Sequence, residues 1–407
     1  MPNHRLAHAV VIIQAALAGA GVALASQASP DRVVIDAQLQ RQTISDLRFA
    51  AGRIEFEIAG KPGLLPLDGS VVAITEPNGH APKPRHSWLE LTDGQRVVGS
   101  RVVLPSVDAV ERAMIDSSVE VLPWSTPLLG DLRVPLEAIR RVVFQEDAVL
   151  ADHDPLHDVL VLSNGDRTLG LVERLWPRIV LEVDGQLRTI ELESVASITL
   201  ANPATERSGS MVWLSDGSIV SAERLISSAE GVELTLAKPL DRSSTGLAPL
   251  TMNEVLAVAF QSAGVRPLSS LGMPRWTADG SWAMPPTLGD AKRTLLGSAE
   301  IELVGPVTAR WALPSGTRRI VVRARLREDC VVWGDCEFSL TAGDSGVVRA
   351  RIHGDAPEAT FTLDIDSRHA GVDLVARVES GQGGAIQDRI MLDGFVLLAS
   401  GRGENIR

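Results

Sequence analysis

Two acidic segments of the sequence hold the side chains best able to bind a metal ion. The first is Asp152-His-Asp-Pro-Leu-His-Asp158, and neutral imidazoles together with carboxylates suit Zn²⁺. Its two histidines are four residues apart, a spacing that would place them on one face of a helix. Pro155 lies between them and makes a helix unfavourable. We therefore interpret the segment as a solvated linker before the strand that begins at Val159.

The second acidic set lies near the C-terminus and suits a structural calcium ion, because Ca²⁺ prefers carboxylate and carbonyl oxygens. The set is Asp364, Asp366, Asp388 and Asp393. Asp364 and Asp366 are the candidate ligands of such an ion, and ordinary turn and strand-edge acids are the alternative. The sequence requires no other cofactor. Asp388 and Asp393 are candidates to hydrogen-bond a bound ligand.

Tryptophan must supply any flat stacking surface, because the chain has eight tryptophans and no tyrosine. The candidates are Trp276, Trp282, Trp311 and Trp333. A flat apolar ring matches the CH face of a pyranose sugar, whereas filling a core is the alternative use of tryptophan. Trp276 and Trp282 lie in Gly/Pro-rich sequence, which predicts that they are exposed. We predict a ligand site at these two rings, with Asp388 and Asp393 as its hydrogen-bonding groups.

The two cysteines, Cys330 and Cys336, are separated by five residues. In an exported protein such a close pair indicates a disulfide across a β-turn, and reduced, buried thiols are the alternative. Because the closed loop is short, the bridge would fix a turn more than it would stabilise a domain.

No sequence motif for catalysis is present. The chain lacks a Gly-x-Ser-x-Gly elbow, a Gly-x-x-x-x-Gly-Lys-Ser/Thr phosphate loop and a redox Cys-x-x-Cys pair. Glycoside hydrolysis needs two carboxylates that converge in a cleft, and nothing in the sequence indicates such convergence. We therefore predict that the protein is not an enzyme.

Charge and the first thirty residues restrict the partners and the compartment. The formal net charge of −12 argues against nucleic acid or an anionic membrane as a partner. Residues 1–25 combine a short basic start, an apolar run and the small-x-small site Ala23-Leu24-Ala25, which predicts a cleaved secretory signal. An uncleaved N-terminal anchor is the alternative. We expect an exported mature chain without a membrane span, in the periplasm, at the cell surface or outside the cell.

One apolar spacing pattern occurs four times and divides the N-terminal part into units. It is Ile190-x-Leu192-x-x-Val195-x-x-Ile198, repeated at 134–142 and 250–258, and at 65–74 with one extra residue. Strands that end in Asp-Gly or Asn-Gly turns precede three of the copies. Runs of Val, Ile and Leu interrupted by Gly, Asp, Asn and Pro predict strands. The predicted β units are 31–75, 87–145, 157–200 and 210–262.

Each unit has the order strand, hairpin, strand, hairpin, strand, helical turn, strand, and resembles Sm-like five-stranded barrels. The Asp-Gly and Asn-Gly turns supply the positive φ that matches the twist of a hairpin. The final V-x-x-I spacing of three predicts the helical turn before the last strand. A short helix is also predicted at 107–115.

Longer strands follow, and their order resembles the novel putative carbohydrate-binding module family (NPCBM). The matching segments are 317–326, 334–344, 361–378 and 388–397. The resemblance implies a jelly-roll β-sandwich over 265–407 and a carbohydrate-binding role. Members of that family commonly carry a Gly-x-x-x-His segment before the first long core strand. The corresponding stretch here, 304–311, has no histidine, which favours a structural or protein-interaction role over the binding role that the resemblance implies.

The sequence therefore predicts an all-β protein of tandem small barrel-like units followed by a C-terminal jelly-roll sandwich. The predicted function is non-catalytic binding of a glycan or attachment to a surface, with a polysaccharide as partner. The first alternative is a structural or protein-interaction role in the cell envelope, with an envelope protein as partner. The second is an accessory role in a glycoside-hydrolase system.

Overall fold

Where the structure describes the chain, its regular structure consists of strands and short 3₁₀ turns, so the predicted all-β class is confirmed. The computed structural model describes residues 31–36, 40–67, 71–77, 82–84, 86–102, 121–205, 208–242, 248–260, 265–289, 295–343, 346–365, 371–382, 384 and 387–398. The predicted signal (1–25), the predicted helix (107–115) and Asp366 lie outside these residues. No helix among them is long and apolar enough to cross a membrane.

The strands before residue 260 fall into four units that share one plan. Unit 1 contains β1 (Arg32–Asp36), β2 (Arg41–Ala50), β3 (Arg53–Ile58), β4 (Lys61–Pro66) and β5 (Val71–Thr75). Unit 2 contains β6 (Trp88–Leu91), β7 (Arg96–Val98), β8 (Ser100–Arg101), β9 (Val121–Thr126), β10 (Gly130–Pro135) and β11 (Ile139–Val143). Unit 3 contains β12 (Asp158–Leu162), β13 (Arg167–Arg174), β14 (Ile179–Val183), β15 (Gln186–Ile190) and β16 (Val195–Thr199). Unit 4 contains β17 (Ser210–Leu214), β18 (Ile219–Ser227), β19 (Val232–Leu236), β20 (Asp241–Arg242) and β21 (Val255–Ala259).

Within each unit the last strand returns to pair with the first. The antiparallel order is β5-β1-β2-β3-β4 in unit 1 and β16-β12-β13-β14-β15 in unit 3. The first hairpins turn at Gly94, Gly165 and Gly217, whose φ values of 85°, 91° and 93° confirm the predicted left-handed turn residue. In each of these turns an Asp or Asn side chain accepts the N–H two residues later, as Asp216 does from Ser218 at 2.8 Å.

The repeated spacing has a different local cause from the one predicted. The 3₁₀ turns span Leu136–Ala138, Leu192–Ser194 and Met252–Glu254, and so lie before the V-x-x-I segment. The V-x-x-I segment is itself strand. Residues three apart in a strand can face the same side only if one residue is inserted between them, and a β-bulge does this. The register shifts place the extra residue at 72, 140, 196 and 256.

The last residue of each repeat also joins one unit to another. Val142 of β11 lies opposite Ile198 of β16, and Val258 of β21 lies opposite Ile74 of β5. All four side chains are buried in one core to which every unit contributes. The four units therefore form two strand-paired couples, units 2 and 3 and units 4 and 1, around a common interior. The limits assigned to the units from sequence stay predictions.

The C-terminal strands form two facing antiparallel sheets. They are β22 (Val265–Pro267), β23 (Arg275–Ala278), β24 (Met284–Leu288), β25 (Ile301–Val304), β26 (Val307–Ala312), β27 (Thr317–Leu326), β28 (Asp335–Ala342), β29 (Val347–His353), β30 (Glu358–Asp364), β31 (Asp373–Ser380) and β32 (Arg389–Leu398). The first sheet has the order β24-β25-β32-β27-β30, with β22 also beside β32, and the second has the order β23-β26-β31-β28-β29. Further 3₁₀ turns span Leu268–Leu271, Leu295–Gly297 and Glu328–Cys330. Alternate residues of both sheets fill the space between them, which makes this region a β-sandwich with its own core.

The outer side of the first sheet packs on units 1 and 4. Phe395 contacts the cluster of Ile35, Val72 and Ala73. Leu295 packs with Trp213 and Ala257. The sandwich is therefore attached to the strand-paired couple of units 4 and 1 through apolar side chains.

Candidate functional site

The exposed tryptophans all lie on the sandwich. Trp276, Trp282 and Trp333 are 38%, 67% and 72% exposed. Trp124, Trp213 and Trp311 are buried, and Trp88 and Trp176 are half-buried. Trp311, a candidate stacking ring in the sequence, fills the sandwich core and donates its indole N–H to the Gly272 carbonyl at 3.2 Å. Core filling thus accounts for Trp311 but not for the three exposed rings.

The three exposed tryptophans lie at or near one end of the sandwich. Strand β23 ends at Ala278, which lies opposite Val307, and Val307 lies opposite Val378. On the next strand Cys336 lies opposite Ser380. Trp282 follows β23 and Trp333 precedes β28, so both project from the same end. We call Trp276, Trp282 and Trp333 the tryptophan end.

Trp276 occupies an edge strand of the second sheet. It lies opposite Ala309, whose side chain is in the core, so the indole is on the inner side of the sheet at its open edge. The neighbouring residue Arg275 is on the outer side and donates to Asp373 at 2.9 Å. This arrangement places an apolar ring and a charged pair on the two sides of one edge strand.

Trp282 lies in a turn whose first two residues are held against Pro306 and Thr308. Asp279 donates its N–H to the Pro306 carbonyl at 3.1 Å, and its carboxylate accepts the Thr308 hydroxyl. A Cβ on Gly280 would come within 2.6 Å of the Pro306 ring, so the turn approaches that ring too closely for a larger residue. Such a fixed turn presents Trp282 with little freedom to lose on binding.

Trp333 lies at the tip of the loop between β27 and β28. Gly334 donates to the Cys330 carbonyl at 2.7 Å, and Cys330 donates to the Arg327 carbonyl at 2.8 Å. Arg327 also hydrogen-bonds the Asp329 carboxylate, which lowers the pKa of Asp329 to about 2. Val332 beside Trp333 is 76% exposed. The sequence made Trp333 a candidate stacking residue but did not include it in the predicted ligand site. The signal that could have included it is the presence of apolar residues in a loop only eight residues long.

Asp388 lies beneath the tryptophan end and is fully buried, so it cannot contact a ligand at the surface. Its Oδ1 accepts the Asp335 N–H at 3.3 Å, and its carbonyl accepts the Gly305 N–H at 2.8 Å. Its Oδ2 has no hydrogen-bond partner among the described residues. Burial raises the pKa of Asp388 to about 6. The residue predicted as a ligand contact instead holds two loops of the tryptophan end together.

Asp393 lies elsewhere and does not join the site. It is on the side of β32 that faces unit 1, and its Oδ2 accepts from the Arg41 guanidinium at 3.2 Å. Of the four residues predicted to bind ligand, only Trp276 and Trp282 are exposed on the tryptophan end. Their role in binding stays a prediction.

The candidate metal ligands are engaged in other contacts. Asp364 forms an ion pair with Arg319 at 2.6 Å. In the histidine segment, Asp154 accepts the Leu156 N–H at 2.8 Å, and the buried Asp158 accepts N–H groups of Val172 and Ala201 at 2.6 and 2.7 Å. Within the described ranges there is no group of three or more His, Cys, Asp or Glu able to hold a metal ion.

The disulfide predicted between Cys330 and Cys336 is not formed, and both residues are free, buried thiols. The two side chains belong to different environments. Cys336 faces the sandwich core from β28, where burial raises the pKa of its thiol to about 12. Cys330 lies in the 3₁₀ turn and donates its thiol to Asp329. The turn between them is held by backbone hydrogen bonds without a bridge.

The chain matches no protein-family model and no curated protein sequence. Among solved structures, CBM51 of Clostridium perfringens GH95, in complex with methyl-galactose, is 12% identical, and the match covers 32% of this chain and 99% of that chain with a TM-score of 0.26. TmCBM61, in complex with beta-1,4-galactotriose, is 18% identical over 33% of this chain and 81% of that chain, with a TM-score of 0.18. The mosquito-larvicidal Cry4Aa toxin from Bacillus thuringiensis is 8% identical, and the match covers 79% of this chain and 54% of that chain with a TM-score of 0.22.

Carbohydrate-binding modules are therefore among the structural neighbours of the chain. At these TM-scores the likeness carries no argument about what the chain binds. The Sm-like resemblance of the units has no support among the neighbours, and the NPCBM resemblance stays a prediction.

Proposed function

We propose that the protein binds carbohydrate, without cleaving it, through the tryptophan end of its sandwich. The observation that carries the proposal is the exposure of Trp276, Trp282 and Trp333 at one end of a domain whose remaining tryptophan is in the core. Large aromatic side chains left in water lose the free energy that burial would give, about 1.5–3 kcal/mol for a ring of phenylalanine size. A ligand that covers the rings recovers part of it.

The chemistry of the surface favours a sugar as that ligand. The CH face of a pyranose packs on an indole, and its hydroxyl groups need hydrogen-bonding partners at the rim. The charged pair of Arg275 and Asp373 lies on the outer side of the edge strand that carries the Trp276 ring. A polyhydroxylated ring that packs on the indole can reach this pair past the open edge of the sheet, whereas a purely apolar partner would leave it unused.

The acids of this end favour binding over catalysis. Asp335 accepts two hydrogen bonds from Arg351, at 2.6 and 2.8 Å, which lower its pKa. Asp329 is held by Arg327, and Asp388 is buried. A glycoside hydrolase needs one carboxylic acid and one carboxylate facing each other across the scissile bond, and these three acids are committed to the protein.

The proposed setting is outside the cytoplasm, in agreement with the signal predicted at 1–25. The same signal supports a polysaccharide of the envelope or the surroundings as the partner. An accessory role in a glycoside-hydrolase system is compatible with the same binding surface and needs no further residue of this chain.

Binding of the full chain to an array of neutral and acidic polysaccharides, followed by titration calorimetry with the best ligand, tests the proposal. Trp282→Ala and Trp333→Ala are each expected to weaken binding about tenfold, which corresponds to about 1.4 kcal/mol. Val347→Ala is the matched control, because Val347 is an exposed apolar residue of the same sandwich at the start of β29. Absence of any retained glycan, or equal loss in the control, would refute the proposal.

A further inference from the structure

The outer side of unit 3 carries a group of exposed leucines. Leu169, Leu171 and Leu187 are 52%, 49% and 68% exposed. Leu171 lies opposite Glu182, and Glu182 lies opposite Leu187, so these side chains share one face of the sheet. Leu169 is two residues before Leu171 and shares that face. We call the three side chains the leucine surface.

The corresponding positions of the other units are not all apolar. In unit 1 an exposed leucine, Leu64, takes the place of Leu187, but Arg48 lies opposite Glu55 where Leu171 lies opposite Glu182. The equivalent strand of unit 2, β10, carries Asp131 and Arg133. Isolated exposed leucines are ordinary, but three on one sheet face, in one unit of four built alike, indicate a contact surface.

The edge of the same sheet is open. Among the described residues, β15 pairs with β14 alone. The equivalent strand β10 of unit 2 is covered by β20, and β4 of unit 1 carries Pro62 and Pro66, which lack the N–H that an added strand would need. Strand β15, Gln186–Ile190, contains no proline and is exposed over most of its length.

The backbone groups of β15 are oriented for pairing with another strand. The turn Asp184-Gly185 has φ values of 52° and 77° and contains two residues, so Val183 and Gln186 form a hydrogen-bonded pair. Hydrogen bonding alternates along an antiparallel ladder, which turns the N–H and C=O of Leu187 away from β14. Leu187 therefore combines the most exposed side chain of the leucine surface with free backbone groups.

We infer that β15 and the leucine surface form a two-fold interface with a second copy of this chain. The chain already associates its units in this way, because β11 pairs with β16 and β5 with β21 as antiparallel, equivalent strands. An isologous contact closes on itself and leaves no further edge. Antiparallel pairing about Leu187 places Leu187 against Leu187 of the second copy and Gln186 against Arg188, so that no like charges oppose one another.

Sedimentation equilibrium of the full chain tests the inference, which does not depend on the proposed carbohydrate site. A concentration-dependent dimer is expected. Leu187→Lys would oppose two lysines at the two-fold axis and is expected to weaken the dimer at least tenfold. Leu64→Lys is the matched control, because Leu64 is also an exposed leucine on a fourth strand, opposite Glu55, as Leu187 is opposite Glu182. A chain that stays monomeric at the highest soluble concentration overturns the inference, as does equal weakening by both variants.

A cross-linking experiment fixes the register. Leu187→Cys is expected to give a covalent dimer on mild oxidation, because the pairing brings position 187 next to itself. The native Cys330 and Cys336 are buried and serve as the background in the parent chain. Leu64→Cys should remain monomeric. A dimer by sedimentation that does not cross-link at position 187 assigns the contact to another surface and also overturns the inference.

Discussion

The two strand-paired couples of units are built on one spacing but are covered by different parts of the chain. In units 4 and 1 the outer side of β21 and β5 lies under the sandwich. In units 2 and 3 the outer side of β11 and β16 lies under residues 149–151 of the same couple. Ser197 donates its hydroxyl to the Val149 carbonyl at 2.9 Å, and Arg141 donates to the Ala151 carbonyl at 3.1 Å.

The difference follows from the two residues inside each V-x-x-I segment. They are Val72-Ala73 in unit 1 and Leu256-Ala257 in unit 4, but Arg140-Arg141 in unit 2 and Ala196-Ser197 in unit 3. The flanking residues of all four segments face the shared core. The inward positions therefore specify the fold of the unit, and the outward positions specify whether the couple binds the apolar face of a domain or the backbone carbonyls of a short segment.

The largest expected loss of stability comes from substituting Ala257, an outward residue of the V-x-x-I segment in unit 4. Ala257→Arg introduces the residue that unit 2 has at the equivalent position, 141. Ala257 is buried beside Leu295 and Trp213, so the guanidinium would lose water without an acidic partner. We expect a loss of about 3–5 kcal/mol from the docked state, seen in calorimetry as separate transitions of the sandwich and the units.

Ala257→Ser is the control for that substitution, because it is neutral and similar in size to the parent residue. It is expected to cost about 1–2 kcal/mol and to keep a single transition. If Ala257→Arg leaves the sandwich docked and equally resistant to proteolysis, outward polarity does not determine what covers the couple.

The second prediction concerns the stability of the sandwich itself, and not its contact with units 1 and 4. It depends on the buried carboxyl group of Asp388. Burial raises the pKa of Asp388 from 3.8 to about 6. Between these values the folded chain holds a proton that the unfolded chain has released, so stability falls as pH rises through this window and is constant above it. A shift of this size corresponds to about 3 kcal/mol.

Asp388→Asn removes the titrating group and keeps the shape. Its free energy of unfolding should exceed that of the parent by about 2.4 kcal/mol more at pH 7 than at pH 4, in denaturant titrations at the two values. In the Ala257→Arg background, where the sandwich and the units are expected to unfold separately, the transition of units 1–4 should not move. A gain that is the same at both pH values would show that the Asp388 carboxyl titrates normally in the folded chain.

The sequence predicted the strands and the fourfold repeat because both depend on local spacing. It misplaced the helical turn because a spacing of three fits both a helix and a bulged strand, and only the pairing partner distinguishes them. The polarity of the outward residues can be read from the sequence. Which part of the chain covers each couple cannot, since the sandwich residues that cover units 4 and 1 are distant in the sequence from unit 1.

The site was predicted in the same uneven way. Trp282 lies in a Gly/Pro-rich turn, and this local signal predicted its exposure correctly. The burial of Asp388 and the pairing of Asp393 with Arg41 depend on contacts between distant segments, which no local pattern encodes. Trp311 follows the alternation of β26 and could have been assigned to the core from that alternation alone.

A smaller loss of stability is expected from a substitution in units 2 and 3, at the outward residue Arg141. Arg141 forms an ion pair with Glu90 at 3.2 Å and hydrogen-bonds Thr199 at 3.3 Å, besides its bond to Ala151. Because Glu90 is only partly buried, Arg141→Ala should destabilise the units by about 1–2 kcal/mol, measured by urea unfolding. Arg140→Ala is the control, since Arg140 is the inserted residue of the bulge and its side chain makes none of these contacts, and it should cost less than about 0.5 kcal/mol. Equal costs would contradict the role given to Arg141.

The smallest effect is expected where charge, and not apolar surface, connects the sandwich to unit 1. Arg41 and Asp393 are 3.2 Å apart, and the Arg41 side chain is about half exposed. Exposed pairs of this kind contribute about 0.2–1 kcal/mol and weaken with salt. A double-mutant cycle of Arg41→Ala and Asp393→Ala measures the coupling directly. A coupling energy well above 1 kcal/mol would mean that the sandwich is held on unit 1 by this ion pair and not by the apolar contact of Phe395 with Val72 and Ala73. The apolar outward residues would then not explain why the sandwich covers units 4 and 1 and not units 2 and 3.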